Sequence, residues 1–346
     1  MTANNSTIAF LSSDARKLYR DDILRVTSYP NGFVIKFRYK QKYINTQIVS
    51  QINNLSNREA IIFFTVGNSL HIPKEERTLV NVPVRKAVIK KVIHQQNTQN
   101  YEFYLELGEF LQSNNSQIEF PKNEFVAYTN HQLSEAPWKI VIDNIKNSFK
   151  DSLFYIFNIS EKSDALLPIF DEKENVSYFK LQDENSYYIS ISFYDVLNEN
   201  SSEKEQIKQN VFTLKEPSDR VIINIPDDLT LDTVIDDRTY NAFTKSLDNN
   251  NTNTFLNFII TQGKNNDSEI LFNDYVRIQI KKDTNKIWVF TLNSFLLALS
   301  IFLTTVGSKA FDLYGSFDIK LVATLLLAII LFWISAYNLF KFFNKK

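Results

Sequence analysis

Two periodicities divide the chain. Over positions 1–280, runs rich in Ile, Val, Phe, Tyr and Thr recur about every 8–15 residues, separated by Asn, Asp, Ser and Pro. That pattern predicts strands over 23–29, 33–39, 60–66, 87–94, 101–107, 176–181, 187–193, 220–225, 255–261 and 270–280. Pro30, Asn31 and Gly32 mark a turn between the first two, since Asn and Gly tolerate positive φ. Helices are expected over 13–20, 139–149 and 231–247, the last ending at the Asn-rich run 248–253. Beyond position 286 the alternation stops. Positions 287–306 (IWVFTLNSFLLALSIFLTTV) and 321–340 (LVATLLLAIILFWISAYNLF) contain no charged residue. About 20 helical residues at ~1.5 Å rise match a hydrocarbon core of ~30 Å, so both stretches are expected to span a membrane. The expected fold class is a β-rich (α+β) cytoplasmic region of two modules, 1–131 and 132–282, followed by a C-terminal two-helix transmembrane hairpin over 287–340.

The flanks set an expected orientation. Arg277, Lys281, Lys282 and Lys286 precede the first stretch, and Lys341, Lys345 and Lys346 follow the second. Positive residues collect on the cytoplasmic side, which predicts a multi-pass protein of the bacterial inner membrane with both termini cytoplasmic. On a helix with ~100° per residue, Asn293, Leu297, Ser300 and Thr304 share one face. Such a stripe either packs helices together or lines a pore in an oligomer. Only 283–286 separate the alternating run 275–282 from the first stretch, which favours mechanical coupling over a loose tether.

Charge sharpens the division. The 38 Lys and Arg nearly balance 39 Asp and Glu over the chain, but positions 1–131 carry 16 basic and 11 acidic residues, and 132–276 carry 13 and 25. The remainder, 277–346, is basic, with nine against three. A near-neutral total thus conceals three unlike segments. The chain has no Cys, three His (His71, His94, His131) and six Gly. Disulfides, thiolate metal sites, thiol catalysis and a glycine-rich phosphate cradle are thereby excluded, and no catalytic motif, metal site or cofactor is expected.

Two basic runs are the candidate chemistry of the first module. Lys36, Arg38, Lys40 and Lys42 alternate with Ile35, Phe37, Tyr39 and Tyr43, so a strand puts the cations on one face. Arg85, Lys86, Lys90 and Lys91 follow. With Tyr19, Tyr29, Tyr101 and Tyr104 nearby, such strands can hold a phosphate backbone and stack bases, as for a nucleotide or single-stranded oligonucleotide. A solvated strand face, or contact with lipid or protein, accounts for the same pattern. In the second module Asp227, Asp228, Asp232, Asp236 and Asp237 fit no calcium loop, and Asp227, Asp228 and Asp232 suit a helix N-terminus. Acidic and basic modules of neighbouring copies could also dock.

The layout of positions 1–282, 287–306 and 321–340 resembles the membrane effectors of bacterial anti-phage defence, closest to the channel component of the nucleotidyltransferase-linked Hailong type. The resemblance rests on architecture and carries no functional residue across. It implies a homo-oligomer, guessed as a tetramer, in the lipid bilayer, gated by an oligonucleotide and arresting growth by depolarisation. The alternative is a membrane-anchored scaffold or receptor that recruits a protein partner through its β modules; a membrane-bound enzyme is the least favoured.

Overall fold

The computed structural model describes residues 7–67, 78–113, 118–149, 152–197, 209–225, 229–231, 233–247, 251–263, 269–314 and 319–343. It divides into two compact units, Met1–Lys281 and Lys282–Lys346. In the larger unit the described residues form three sheets. The first holds seven strands: β1 (Thr7–Ser13), β2 (Val34–Lys40), β3 (Glu59–Val66), β4 (Val80–Gln95), β5 (Asn100–Ser113), β6 (Val126–Thr129) and β7 (Leu133–Glu135). Their order is β2-β5-β4-β3-β1-β6, with β7 on β5. β1 and β3 run parallel and the other pairs antiparallel. Helix α1 (Lys17–Ser28) carries the chain from β1 to β2; α2 (Thr46–Ser50) lies before β3, and α3 (Trp138–Ile145) follows β7.

The remaining strands build two further sheets. One contains β10 (Ile169–Asp171), β11 (Val176–Gln182), β13 (Asn210–Lys215), β15 (Leu229–Thr230), β17 (Asn251–Gln262) and β18 (Glu269–Lys281). The other contains β8 (Leu153–Glu161), β9 (Asp164–Ala165), β12 (Ser186–Asp195), β14 (Val221–Ile223) and β16 (Ile235–Thr244). Period-2 burial explains their pairing: in β12, Tyr187, Ile189, Ile191 and Phe193 point inward while Ser186, Tyr188 and Ser190 stay out. The inner faces meet through aromatic rings. Tyr155 and Phe157 of β8 stack on Phe258 of β17 at 5.4 and 4.7 Å, and Phe193 of β12 packs edge-on to Phe212 of β13 at 4.9 Å. Phe33 and Tyr29 reach Phe179 and Phe157, so the main hydrophobic core joins all three sheets, and a smaller cluster around Leu11, Phe63 and Leu111 lies apart from it.

Two local expectations are corrected. Positions 23–29 are not a strand: Ile23, Leu24, Val26 and Thr27 bury one helical face, extending α1 to Ser28. The hydroxyls of Thr27 and Ser28 turn back to the carbonyls of Ile23 and Leu24, and Pro30 prevents continuation. Gly32, at φ +82°, supplies the expected turn, but between α1 and β2. Positions 231–247 are not a helix. Tyr240, Ala242 and Thr244 are buried in alternation along β16, because a strand lets these few apolar residues share one face. Asp227, Asp228, Asp232 and His71 lie outside the described residues.

The smaller unit forms two helices, Thr284–Tyr314 and Ile319–Phe343. Among the described residues, no helix is long and apolar enough to cross a membrane. The transmembrane hairpin expected over 287–306 and 321–340 is corrected to a helical hairpin with no assigned span. The multi-pass inner-membrane localisation falls with that correction.

Candidate functional site

The two basic runs have opposite fates. Arg85 of β4 is fully buried, beside a bulge in the pairing of β4 with β5. Its guanidinium is consumed from within. Nε donates to Gly108 O at 2.6 Å, Nη1 to Val26 O at 2.7 Å and Tyr29 O at 2.6 Å, and Nη2 to Asn31 Oδ1 at 2.6 Å. The Phe110 ring covers it at 4.2 Å. Val26 and Tyr29 lie at the C-terminal end of α1, where unpaired carbonyls attract a cation. Burial pulls the Arg85 pKa down to about 9, so it is still charged at neutral pH. Lys86 pairs with Glu59 at 3.6 Å and Lys90 with Glu106 at 2.9 Å. Lys91 Nζ donates to Glu172 O and Asn175 Oδ1 at 2.8 and 2.7 Å. The second run therefore offers no convergent cation cluster.

The first run stays at the surface. β2 ends the sheet, and its exposed positions are Lys36, Arg38 and Lys40. Lys42 lies just beyond, in a single 3-10 turn, against its neighbour Tyr43. Lys36 reaches Glu102 at 3.6 Å; Glu102 also accepts from Gln95 Nε2 at 2.8 Å and Tyr104 Oη at 3.2 Å. Burial, then the Glu102 charge, pushes the Tyr104 hydroxyl up to about 12. Tyr29, Tyr101 and Tyr104 are buried, so these three rings offer no platform for a base.

The backbone of β2 adds what side-chain spacing does not contain. Phe33 O accepts from Leu107 N, and Gln41 N donates to Gln99 O, so odd-numbered positions face β5. Even-numbered positions then turn their N–H and C=O to the outer edge. Val34 proves the direction: its N–H donates to Ser177 Oγ at 2.8 Å and its carbonyl accepts from the same hydroxyl. Beyond Val34, the outward groups belong to Lys36, Arg38 and Lys40. Among the described residues no strand pairs with that edge.

A second polar constellation escaped the sequence pattern. Arg25 of α1 joins Asp274 of β18 at 2.9 Å and Asp22 at 3.2 Å, and Tyr29 Oη donates to Asp274 Oδ2. Burial outweighs the nearby Arg25 and raises the Asp22 pKa to about 6. Its members lie some 250 residues apart in sequence, and nothing in their local spacing marks them. It ties α1 to β18 and contains no nucleophile–base pair. No group of His, Asp and Glu able to hold a metal occurs among the described residues.

The pore-stripe residues lie in the hairpin. Asn293 and Ser300 are buried, Leu297 is half-buried and Thr304 exposed. Ser335 Oγ donates to Asn293 O, and Asn338 Nδ2 donates to Asn293 Oδ1 at 3.2 Å, so Asn293 joins the two helices. No protein-family model and no curated protein matches this chain.

Proposed function

We propose that this protein is a non-enzymatic recruiting module whose β2 edge receives an extended acidic segment of a partner protein. The observation that carries this reading is the coincidence on one edge strand of outward backbone groups and outward cations at Lys36, Arg38 and Lys40. An added strand would take its main-chain hydrogen bonds from the edge and its specificity from acidic side chains at alternate positions. An oligonucleotide is favoured less, because the second basic run is paired or buried and Tyr29, Tyr101 and Tyr104 are not exposed. Lysines can also simply guard an edge against aggregation, and the test separates that role from recruitment.

The test compares Lys36→Pro with Lys36→Ala in binding to a synthetic peptide of alternating Glu and Val, followed by fluorescence anisotropy. Both variants lose the cation, but only proline removes the outward N–H, which the β2–β5 ladder does not use. At least a fivefold further loss in the proline variant, together with weakening by salt, is expected. Equal affinity of the two variants, or preference for a single-stranded oligonucleotide of the same charge, overturns the reading.

A further inference from the structure

The helical hairpin has an inverted surface. Its buried described side chains are Asn293, Ser300, Ala328 and Ser335, while fifteen large apolar residues from Trp288 to Tyr337 are exposed. At roughly half exposure and about 200 Å² each, these present on the order of 1,500 Å² of apolar surface. Exposed patches on folded monomers seldom exceed a few hundred Å², and a stable interface needs only about 800 Å² from each partner.

Most exposed apolar residues of the first helix fall in one seam, which also takes in the half-buried Leu299. Trp288, Leu292, Phe295, Leu299, Phe302 and Val306 recur at spacings of four and three. This is the 3.5-residue period of a coiled-coil seam, in which one set of layers is Trp288, Phe295 and Phe302 and the other is Leu292, Leu299 and Val306. Four of the six are more than half exposed: Trp288 (73%), Leu292 (55%), Phe295 (63%) and Phe302 (63%). Asn293 and Ser300, which face the second helix, lie on a different side of the cylinder. The internal helix–helix contact therefore leaves the seam open.

We propose that the helix Thr284–Tyr314 is a self-association helix, whose seam packs against the same seam of further copies of this chain. Copies related by rotation about an axis running along the helix bring identical helices together in parallel, so a seam of one register is complementary to itself. By the same estimate the six seam residues present about 600 Å², close to the ~800 Å² that each partner of a stable interface contributes. This surface is separate from the β2 edge, so either proposal can fail without the other.

The absence of Cys makes the test direct, because each introduced cysteine reports without background. The full chain carrying Leu299→Cys or Phe302→Cys is oxidised after purification in a mild non-ionic detergent. Ile301→Cys, exposed on the same helix but off the seam, is the control. At least fivefold more covalent dimer is expected at 299 and 302 than at 301, with a multi-chain mass by light scattering. Equal cross-linking at all three positions, or a single-chain mass without cross-linking, overturns the proposal and assigns the apolar surface to detergent or lipid. The double variant Phe295→Asp, Phe302→Asp is expected to reduce the mass to one chain with an unchanged circular dichroism spectrum. If that variant does not fold, the cysteine comparison decides alone.

Discussion

The runs Lys36–Lys42 and Arg85–Lys91 have nearly the same basic content, yet the first stays at the surface while the second opens on a fully buried Arg85. The difference arises from strand position. Among the described residues β2 has a neighbour on one side only, so its alternate cations keep solvent and its alternate backbone groups have no strand to bond. β4 lies between β3 and β5, and its bulge turns Arg85 inward onto the end of α1. A basic residue in a central strand must find acceptors within the fold; one on an edge is left for something else.

The comparison is broken most severely at Arg85. Arg85→Ala leaves the carbonyls of Val26, Tyr29 and Gly108 without their donor inside the core, and a loss of roughly 3–5 kcal/mol of unfolding free energy is expected by urea titration. A loss under 1 kcal/mol would mean that water replaces the guanidinium and that the two runs differ less than the geometry implies. Arg85→Lys should recover only part of the loss, because an ammonium cannot reach four acceptors in the guanidinium plane.

The α1–β18 cluster comes next. Asp274→Asn removes the charge that faces Arg25 and should cost about 2 kcal/mol at neutral pH. Asp22 acts in the opposite sense with pH. Its folded pKa, about 6, lies above the ordinary value of 3.8, so its stabilising contribution is complete below about pH 4 and is lost as pH rises through 6. A shift of this size is worth on the order of 2–3 kcal/mol. Wild type should therefore lose that much relative to Asp22→Asn between pH 4 and pH 7, and parallel pH–stability curves would contradict it.

The smallest effect on stability belongs to the exposed run. Replacing Lys36, Arg38 and Lys40 together by Ser should change unfolding free energy by less than about 1 kcal/mol, since the ion pair of Lys36 with Glu102 is long and half exposed. Binding of the acidic peptide should fall at least tenfold. A large stability loss with retained binding would reverse the roles of the two runs.

Much of the β architecture is legible in the sequence, because alternation survives wherever one face of a strand is buried. β12, β17 and β18 follow it directly, and the exposed cations of β2 fall where period 2 puts them. The second half of α1 was obscured because Ile23, Val26 and Thr27 are β-branched and favour strands locally, whereas their burial follows a helical face. β16 was obscured by its acidic start, which imitates a helix N-terminus. The fate of Arg85 could not be read at all: its acceptors come from α1, from the turn before β2 and from β5. The outward edge of β2, by contrast, follows from hydrogen-bond parity once the strand is known to be terminal.

The placement of β18 has a mechanical consequence. Its last residue, Lys281, stands only three positions before the first hairpin helix begins at Thr284. β18 is an interior strand, antiparallel to β17 over its length and parallel to β11 near its end. Tension applied along the axis of β18 would load both ladders in shear, so many hydrogen bonds would resist together rather than opening one after another. The strand next to the hairpin in sequence thus resists best along its own axis, and it also carries the Arg25 partner Asp274.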